Sequence, residues 1–252
     1  MTILRRVLPT VRRRIVTYGT REGSDFLIAD LRSGIAGEGH FASSVFRVQY
    51  HRRDLGDFQL HVPGEHNVRN AAAAIAVGFG LDIPVDKIRE GLAKFNGVDR
   101  RFQLKGRSNG VTVIDDYGHH PTEIRATLAA ARQCGFRRIH VIFQPHRYTR
   151  TQLLLDDFAT AFGDADIVSV LDIYAASEAP IPGVTGERLA ERISKTGMRA
   201  KYVGSFADAA ELAGKLAQSG DLVLTLGAGN VSQLGPLVLE QLEALAAREV
   251  RR

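Results

Sequence analysis

The stretch GVTVIDDYGHHPTEIRATLAAARQCG, residues 110–135, decides the fold of this 252-residue chain. Its first six residues are rich in β-branched side chains, which predicts a short strand. Pro121 suits the first position of a helix and Glu123 favours a helix N-terminus, so a helix follows until Gly135 stops it. The polar run DDYGHHP is therefore predicted to lie in the loop between a strand and a helix.

The same order of elements recurs through the second half of the chain. Four more strands are predicted, RRIHVIF, DIVSVLDIY, AKYVG and DLVLTLG. They alternate with three predicted helices, TQLLLDDFATAFG, GERLAERISKTG and SFADAAELAGKLAQSG, and a last helix is predicted to run to Arg252. Strands that alternate with helices of this length indicate βαβ units around a parallel sheet. The sequence thus predicts the α/β class.

Polar loops follow the predicted strands of this sheet. They are residues 115–120, 144–150, 172–178 and 227–230. Because the carboxyl ends of parallel strands share one edge of a sheet, where ligands bind, these loops are expected to lie side by side.

Residues 1–98 have a different pattern. Short strands are predicted at RIVTYG, DFLIADLR, SVFRVQYHR and DFQLHVP, followed by the helices EHNVRNAAAAIAVGFG and VDKIREGLAKF. The change to regular alternation near residues 96–101 predicts two domains, 1–98 and 99–252.

Composition excludes several classes of protein. The formal charge of +5 equals the five arginines of an N-terminal cluster, Arg5, Arg6, Arg12, Arg13 and Arg14. We interpret the cluster as a solvated stretch and not as a nucleic-acid-binding arm or a transit-like segment, because few aromatic residues accompany it.

No apolar run reaches the roughly 18–20 residues of a membrane span. The single Cys134 excludes an internal disulfide framework and fits the reducing cytoplasm.

The polar loops contain the candidate chemical groups. Arg147 and Arg150 suit bidentate binding of a carboxylate or phosphate. Adjacent imidazoles rarely bind one ion, so His119 and His120, even with His146 as a third ligand, favour hydrogen bonding to an anionic substrate over zinc, and loop histidines satisfied by the protein itself are the remaining alternative. No metal ligand is assigned.

Other polar groups leave alternatives open. Asp115 and Asp116 are adjacent in a strand and point to opposite faces, and the one that faces the cleft is either a ribose ligand or a turn aspartate. LGAGN fits a tight strand-to-helix turn better than a dinucleotide fingerprint, because Ser232 stands where that pattern needs glycine. Asn67 and Asn70 share a helix face beside His66, but their spacing alone defines no site.

Six blocks together resemble the bacterial Mur ligases, over essentially the whole chain. In order, they are GEHNVRNAAAAIAVG, VDRRFQ, IDDYGHHPTEIRATLAAAR, FQPHRYTRT, DIYAASEAPIPGVTG and LGAGN. The YGHHP and QPHRYTR blocks are specific for the alanine-adding member, and the member that re-ligates murein tripeptide is the alternative. The resemblance implies that residues 1–98 are the rear part of an ATP-binding central domain and that residues 99–252 are the Rossmann-like C-terminal domain.

The resemblance also implies an activity. ATP would drive the joining of L-alanine to the carboxylate of UDP-N-acetylmuramate through an acyl phosphate, in cytoplasmic peptidoglycan synthesis. Nucleotide-binding roles are implied for His66, Asn67, Asn70, Arg101 and Asp116. Roles around alanine and the reacting carboxylate are implied for Tyr117, His119, His146, Arg147 and Arg150, and catalytic roles within these sets for Arg101, His119, Arg147 and Arg150.

One departure from the family pattern matters. No GxxxxGK[ST] phosphate loop occurs in the chain, and the single Gly-Lys pair, Gly214–Lys215, is followed by leucine inside a predicted helix. The family's UDP-binding domain and its Mg²⁺ ligands are expected to precede residue 1. We therefore expect the 252 residues to be inactive as a ligase by themselves. A non-catalytic nucleotide-binding module is the alternative from another functional class.

Overall fold

The computed structural model describes residues 6–35 and 42–249, which form two sheets with their helices. Arg5 of the N-terminal cluster lies outside these residues. The other four arginines of the cluster are exposed, and the Arg14 guanidinium donates a hydrogen bond to the Tyr50 hydroxyl at 3.3 Å. No helix in the described part of the chain is both long and apolar enough to span a bilayer.

The first sheet has four strands in sequential order. They are β1 (Tyr18–Gly19), β2 (Phe26–Ile35), β3 (Ala42–Tyr50) and β4 (Arg53–Leu60). The first pair is parallel and the other two pairs are antiparallel. Buried and half-buried residues alternate along most of β3, so Phe46 and Val48 face the core.

Two helices follow this sheet, α1 (Glu65–Gly80) and α2 (Val85–Ala93). The apolar face of α1 packs Val68 and Ile75 into the same core as the strands. Gly64 begins α1 with a φ of 98°, and a Cβ atom there would lie 2.9 Å from the Cβ of Ala130 in the second half of the chain. Glycine is therefore needed for both backbone angle and close contact.

The second sheet has six strands in the order β5-β6-β10-β7-β8-β9. Its elements along the chain are β5 (Gln103–Ser108), β6 (Val111–Asp116), α3 (Pro121–Gln133), β7 (Ile139–Phe143), α4 (Tyr148–Leu153), α5 (Leu155–Ala159), β8 (Ile167–Leu171), α6 (Gly186–Ser194), β9 (Ala200–Gly204), α7 (Phe206–Leu216), β10 (Leu222–Leu226) and α8 (Leu234–Glu249). A single 3₁₀ turn, Asn230–Gln233, precedes α8.

The second sheet confirms the predicted α/β class. Strands β6, β10, β7, β8 and β9 are parallel, and β6, β7, β8 and β10 are buried at every residue. Two apolar cores cover the sheet, one containing residues of α3, α5 and α6, and the other residues of α7 and α8. Complete burial explains why these strands are continuous apolar runs without alternation.

Two elements differ from the sequence prediction. β5 is an antiparallel edge strand that was not predicted, because its segment QLKGRS lacks the apolar run of a buried strand. The helix predicted from residue 151 is two short helices, since Leu154 leaves the helical conformation with φ −113° and ψ 20°. Leu154 and Leu155 instead pack against the core beneath α4 and α5.

Candidate active site

The four polar loops that follow β6, β7, β8 and β10 meet at one edge of the second sheet. The loops after β7 and β8 form a parallel bridge between His146 and Tyr174. The loops after β7 and β10 are joined by a hydrogen bond of 2.9 Å from Gln144 Nε2 to Asn230 Oδ1. The predicted convergence of these loops is thus present in the structure.

Aromatic and imidazole rings form a continuous row across three of these loops. Tyr117 and His119 meet edge to face at 5.1 Å between ring centroids, and His119 lies 5.6 Å from His146. The His146 ring in turn stacks on Tyr174 at 5.7 Å with 10° between the planes. Arg150 belongs to the same group, because its Nη1 donates to His146 Nδ1 at 3.2 Å. The two predicted halves of the pocket therefore share one site.

The surroundings of His146 in this row favour the neutral form of its ring. Burial lowers its pKa, the nearby His119, Arg150 and Arg147 lower the pKa further, and the charge of Glu178 opposes them. A neutral imidazole leaves a lone pair on Nδ1, which the hydrogen bond from Arg150 requires. The lowered pKa of His146 therefore agrees with the geometry of its contact with Arg150.

The neighbouring His120 has a structural role at the start of α3. Its Nδ1 accepts the N–H of Thr122 at 3.3 Å, while the Glu123 carboxylate accepts the N–H groups of His119 and His120 at 3.0 and 3.2 Å. Reciprocal bonds of this kind satisfy free helix donors. They also fix the backbone of His119, whose Nδ1 donates to the Tyr117 carbonyl at 2.9 Å.

A cavity of about 570 Å³ lies beside this row, between α1, α2 and the segment that leads into β5. Its polar lining contains four of the residues expected to bind nucleotide, His66, Asn67, Asn70 and Arg101. Its apolar lining includes Leu60, Val62, Leu92, Phe95 and Val98. An apolar cavity with a few convergent polar groups is the usual form of a small-molecule site.

The hydrogen bonding of one polar side chain in the cavity and the direction of the pKa shift of another are defined. Asn67 Nδ2 donates to the Pro63 carbonyl at 2.8 Å, which leaves its amide oxygen available to a ligand. The pKa of His66 is lowered, mainly by burial; Asp116 opposes this shift and Arg101 adds to it. His66 is therefore a neutral hydrogen-bonding group near neutral pH.

Asp116, the fifth expected nucleotide ligand, is buried behind the cavity. Its carboxylate accepts hydrogen bonds from Phe102 N–H at 2.8 Å, Gly118 N–H at 2.8 Å and Thr127 Oγ1 at 3.1 Å. Burial raises the pKa of Asp116 against the effect of these donors. In this conformation Asp116 holds its own loop, and the ribose contact stays a prediction.

Arg101 connects the cavity with the aromatic row. Its guanidinium lies 5.6 Å from the centroid of the Tyr117 ring, and that of Arg100 lies 5.0 Å from the same ring. Arg100 instead faces the sheet, where its Nη2 donates to the Gly227 carbonyl at 2.6 Å and its Nε to Asp115 at 3.0 Å. Sequence reasoning missed Arg100, because two adjacent arginines in a loop give no signal about which of them turns towards the sheet.

The LGAGN segment forms a covered turn. A Cβ atom on Gly229 would lie 2.6 Å from Cγ of Tyr174 and would also collide with the Gln144 side chain. The small residue therefore lets the Tyr174 and Gln144 side chains close over the backbone. This arrangement agrees with a packed strand-to-helix turn and gives no open cradle for phosphate.

These elements define an α/β protein with a corner of aromatic, imidazole and guanidinium groups beside a cavity of about 570 Å³. The family described as "Mur ligase, glutamate ligase domain" matches residues 100–229, and the chain belongs to the Mur ligase family. It is 64% identical over 246 residues to the UDP-N-acetylmuramate–L-alanine ligase of Koribacter versatilis, covering 96% of this chain and 52% of that protein. It is 58% identical over 237 residues to the enzyme of the same name from Solibacter usitatus, covering 94% and 49%.

A solved structure supports the same relationship. The UDP-N-acetylmuramate–alanine ligase MurC of Thermotoga maritima superposes with a TM-score of 0.74 and 28% identity, over 91% of this chain and 48% of that chain. The MurF ligase of the same organism, solved with ADP, has the same fold at a TM-score of 0.70 and 20% identity, over 96% and 52% of the two chains. The chain spans about half the length of the relatives it matches.

Proposed function

We propose that this chain forms part of an ATP-dependent ligase that joins L-alanine to the carboxylate of UDP-N-acetylmuramate in cytoplasmic peptidoglycan synthesis. The observation that carries the proposal is the contact of the nucleotide-sized cavity with the Tyr117–His119–His146 row through Arg101. A ligase of this kind must hold ATP and an amino acid at adjacent positions, and this edge of the sheet offers both. The relatives at 64% and 58% identity support alanine as the amino acid.

In the first proposed step, the muramate carboxylate attacks the γ-phosphate of ATP and forms an acyl phosphate with release of ADP. Charge is spread over the phosphoryl oxygens in such a transfer, so positioned cations are the natural stabilisers. Arg101, exposed at the mouth of the cavity, is proposed to contact these phosphates. His66, Asn67 and Asn70 are proposed to bind the nucleotide farther inside, with Asp116 at the ribose.

In the second proposed step, the alanine amine attacks the acyl phosphate, and phosphate leaves as the amide forms. Arg147 and Arg150 are proposed to bind the carboxylates and the oxyanion, beside Tyr117 and His146. The amine must lose a proton to attack. His119 is the proposed acceptor, because its Nδ1 bonds the Tyr117 carbonyl and leaves Nε2 with a lone pair in the neutral ring.

Mg²⁺ is expected in phosphoryl transfer of this type. Within residues 6–35 and 42–249, no three His, Cys, Asp or Glu side chains converge in a way that could hold a metal ion. The described residues therefore do not fit a complete metal site, and no step is assigned to Mg²⁺ here. That its ligands lie outside this chain remains the sequence-based expectation.

Reconstitution tests the proposed function. This chain is fused or co-expressed with the part of the Koribacter versatilis enzyme that it does not match, and phosphate release is measured with ATP, UDP-N-acetylmuramate and L-alanine. We expect alanine-dependent release from the pair and none from the 252 residues alone, which contain no phosphate loop. Phosphate release that requires murein tripeptide in place of alanine would support the alternative ligase. Nucleotide binding without any turnover would support a non-catalytic module.

An Arg150→Ala variant tests the assignment within the site. Loss of a charge-assisted hydrogen-bonding group should raise KM for alanine about tenfold or more. KM for ATP should change by less than about twofold, because Arg150 contacts His146, which follows Tyr117 and His119 in the row that begins at Arg101 of the cavity. Equal effects on both substrates would remove Arg150 from the alanine pocket.

A further inference from the structure

Three residues with a strained backbone lie where the loops after β7 and β8 cross. Arg147, Ala176 and Ser177 have positive φ angles of 72°, 48° and 70°. Side-chain-bearing residues adopt such angles infrequently, and a cluster of them persists only where surrounding contacts hold the chain. Arg147 begins the segment that also carries Arg150, and Ala176 and Ser177 lie in the loop after β8 that crosses this segment.

Specific contacts hold this crossing together. The Tyr174 N–H donates to the Pro145 carbonyl at 2.8 Å, and the Arg147 N–H donates to the Tyr174 carbonyl at 2.9 Å. The Glu178 carboxylate accepts the Thr149 N–H at 3.0 Å and the Thr149 hydroxyl at 2.6 Å. We call residues 174–178 the strap, because they tie the β8 loop to the first turn of α4.

The strap stabilises a helix that is too short to be stable by itself. Helix α4 has six residues, Tyr148–Leu153, and isolated helices of that length do not persist in water. Its free N–H groups need an acceptor, and Glu178 supplies a charged one. Since Arg150 projects from this helix to His146, the direction of its guanidinium depends on how the helix is held.

The charge of Glu178 is maintained by the same contacts. The Thr149 hydroxyl and N–H lower the pKa of Glu178, and the charge of Arg147 contributes in the same direction. A carboxylate at this position therefore faces the cationic side of the site.

We propose that Glu178 is a positioning residue for amino-acid recognition, acting through Thr149 on Arg147 and Arg150 without touching substrate. This inference rests on the proposed function of the site. It assigns to the strap, a segment in which the sequence predicted no site residue, the task of orienting these two guanidiniums.

The test uses the reconstituted ligase with the variant Glu178→Gln, which keeps the shape and removes the charge. We expect KM for alanine to rise about tenfold, the loss that follows from one charge-assisted contact. KM for ATP and kcat should each stay within about twofold of the wild-type value. Glu191→Gln, an exposed carboxylate on α6, is the matched control and should match the wild type. A purely structural role would move both KM values and kcat together.

Variants at the partner residue make the test independent of Glu178. Thr149→Val, which lacks the hydroxyl, should raise KM for alanine, and Thr149→Ser, which keeps both donors, should not. In addition, NMR of the 252-residue chain should show that Glu178→Gln shifts the Arg150 Nε–H resonance. An unchanged Arg150 resonance, or an unchanged KM for alanine in an active ligase, overturns the positioning role. An inactive wild-type ligase counts against the proposed function instead.

Discussion

Arg100 Nε lies 3.0 Å from Asp115 Oδ2, and the Asp115 side chain is completely buried. The Thr225 hydroxyl donates to the other oxygen of the same carboxylate at 2.7 Å, so each oxygen has a partner. The pair ties the segment that enters the second sheet to the ends of the neighbouring strands β6 and β10. Arg101, one residue later, faces the cavity instead.

This difference predicts opposite effects of two neighbouring substitutions. Arg100→Ala leaves a buried carboxylate without its cation, and we expect the free energy of unfolding to fall by about 3 kcal/mol. Arg101→Ala should change stability by less than about 0.5 kcal/mol, as an exposed residue, while weakening ADP binding about tenfold. Urea denaturation and calorimetric titration with ADP measure the two quantities. Similar unfolding energies for both variants would contradict the assignment of Arg100.

The pH dependence of His146 provides a second prediction. Burial lowers its pKa, and the charges of Arg150 and Arg147 add to this shift against the opposing charge of Glu178, so the neutral ring persists below the usual value of 6.5. Protonation removes the lone pair that accepts from Arg150, and KM for alanine should therefore rise as the pH falls through this lowered pKa. NMR titration of the His146 ring in the 252-residue chain locates the midpoint. A midpoint at or above 6.5 would be inconsistent with the described environment.

A third prediction concerns the covered turn after β10. Gly229→Ala places a methyl group 2.6 Å from Cγ of Tyr174, so the ring has to move and its stack on His146 is lost. We expect a loss of about 1–3 kcal/mol, typical of overpacking. Gly80→Ala, in a helix with no atom within 4 Å of the added group, should be neutral or slightly stabilising. Thermal unfolding of the two variants compares them directly.

The fourth prediction concerns acid stability at the opposite edge of the sheet. Asp221 is fully buried, and although burial raises its pKa, hydrogen bonds from Arg138, Gln218, Arg137 and His140 outweigh that effect and lower the pKa to about 2. A carboxyl with a lowered folded-state pKa stabilises the fold above its unfolded value of 3.8 and loses that contribution as the pH falls towards 2.

Asp221→Asn should therefore reduce the free energy of unfolding by about 2 kcal/mol or more at pH 7. The difference from the wild type should shrink between pH 4 and pH 2. Asp164→Asn, at an exposed acid, is the control and should be nearly neutral at every pH. A deficit of Asp221→Asn that stays constant down to pH 2 would show that charge is not the cause.

Local sequence was sufficient to predict most elements and the order of the loops. Strand 111–116, its polar loop and the helix from Pro121 form as predicted, because β-branched residues, a first-turn proline and a terminal glycine act over a few residues. The same local signals failed at β5 and at Leu154, where packing against distant elements decided the conformation. The boundary between residues 98 and 99 stays a prediction.

The sequence by itself determined which chemical groups lie at the active edge, since parallel strands bring their carboxyl-end loops together whatever the details of packing. Only the tertiary structure decided how each group is used there. It turned Arg100 towards the buried Asp115 and left Arg101 exposed, turned Asp116 inward, and brought Tyr174 and Glu178 against the arginine loop. These outcomes depend on contacts between residues far apart in the chain, and no local pattern of residue types encodes them.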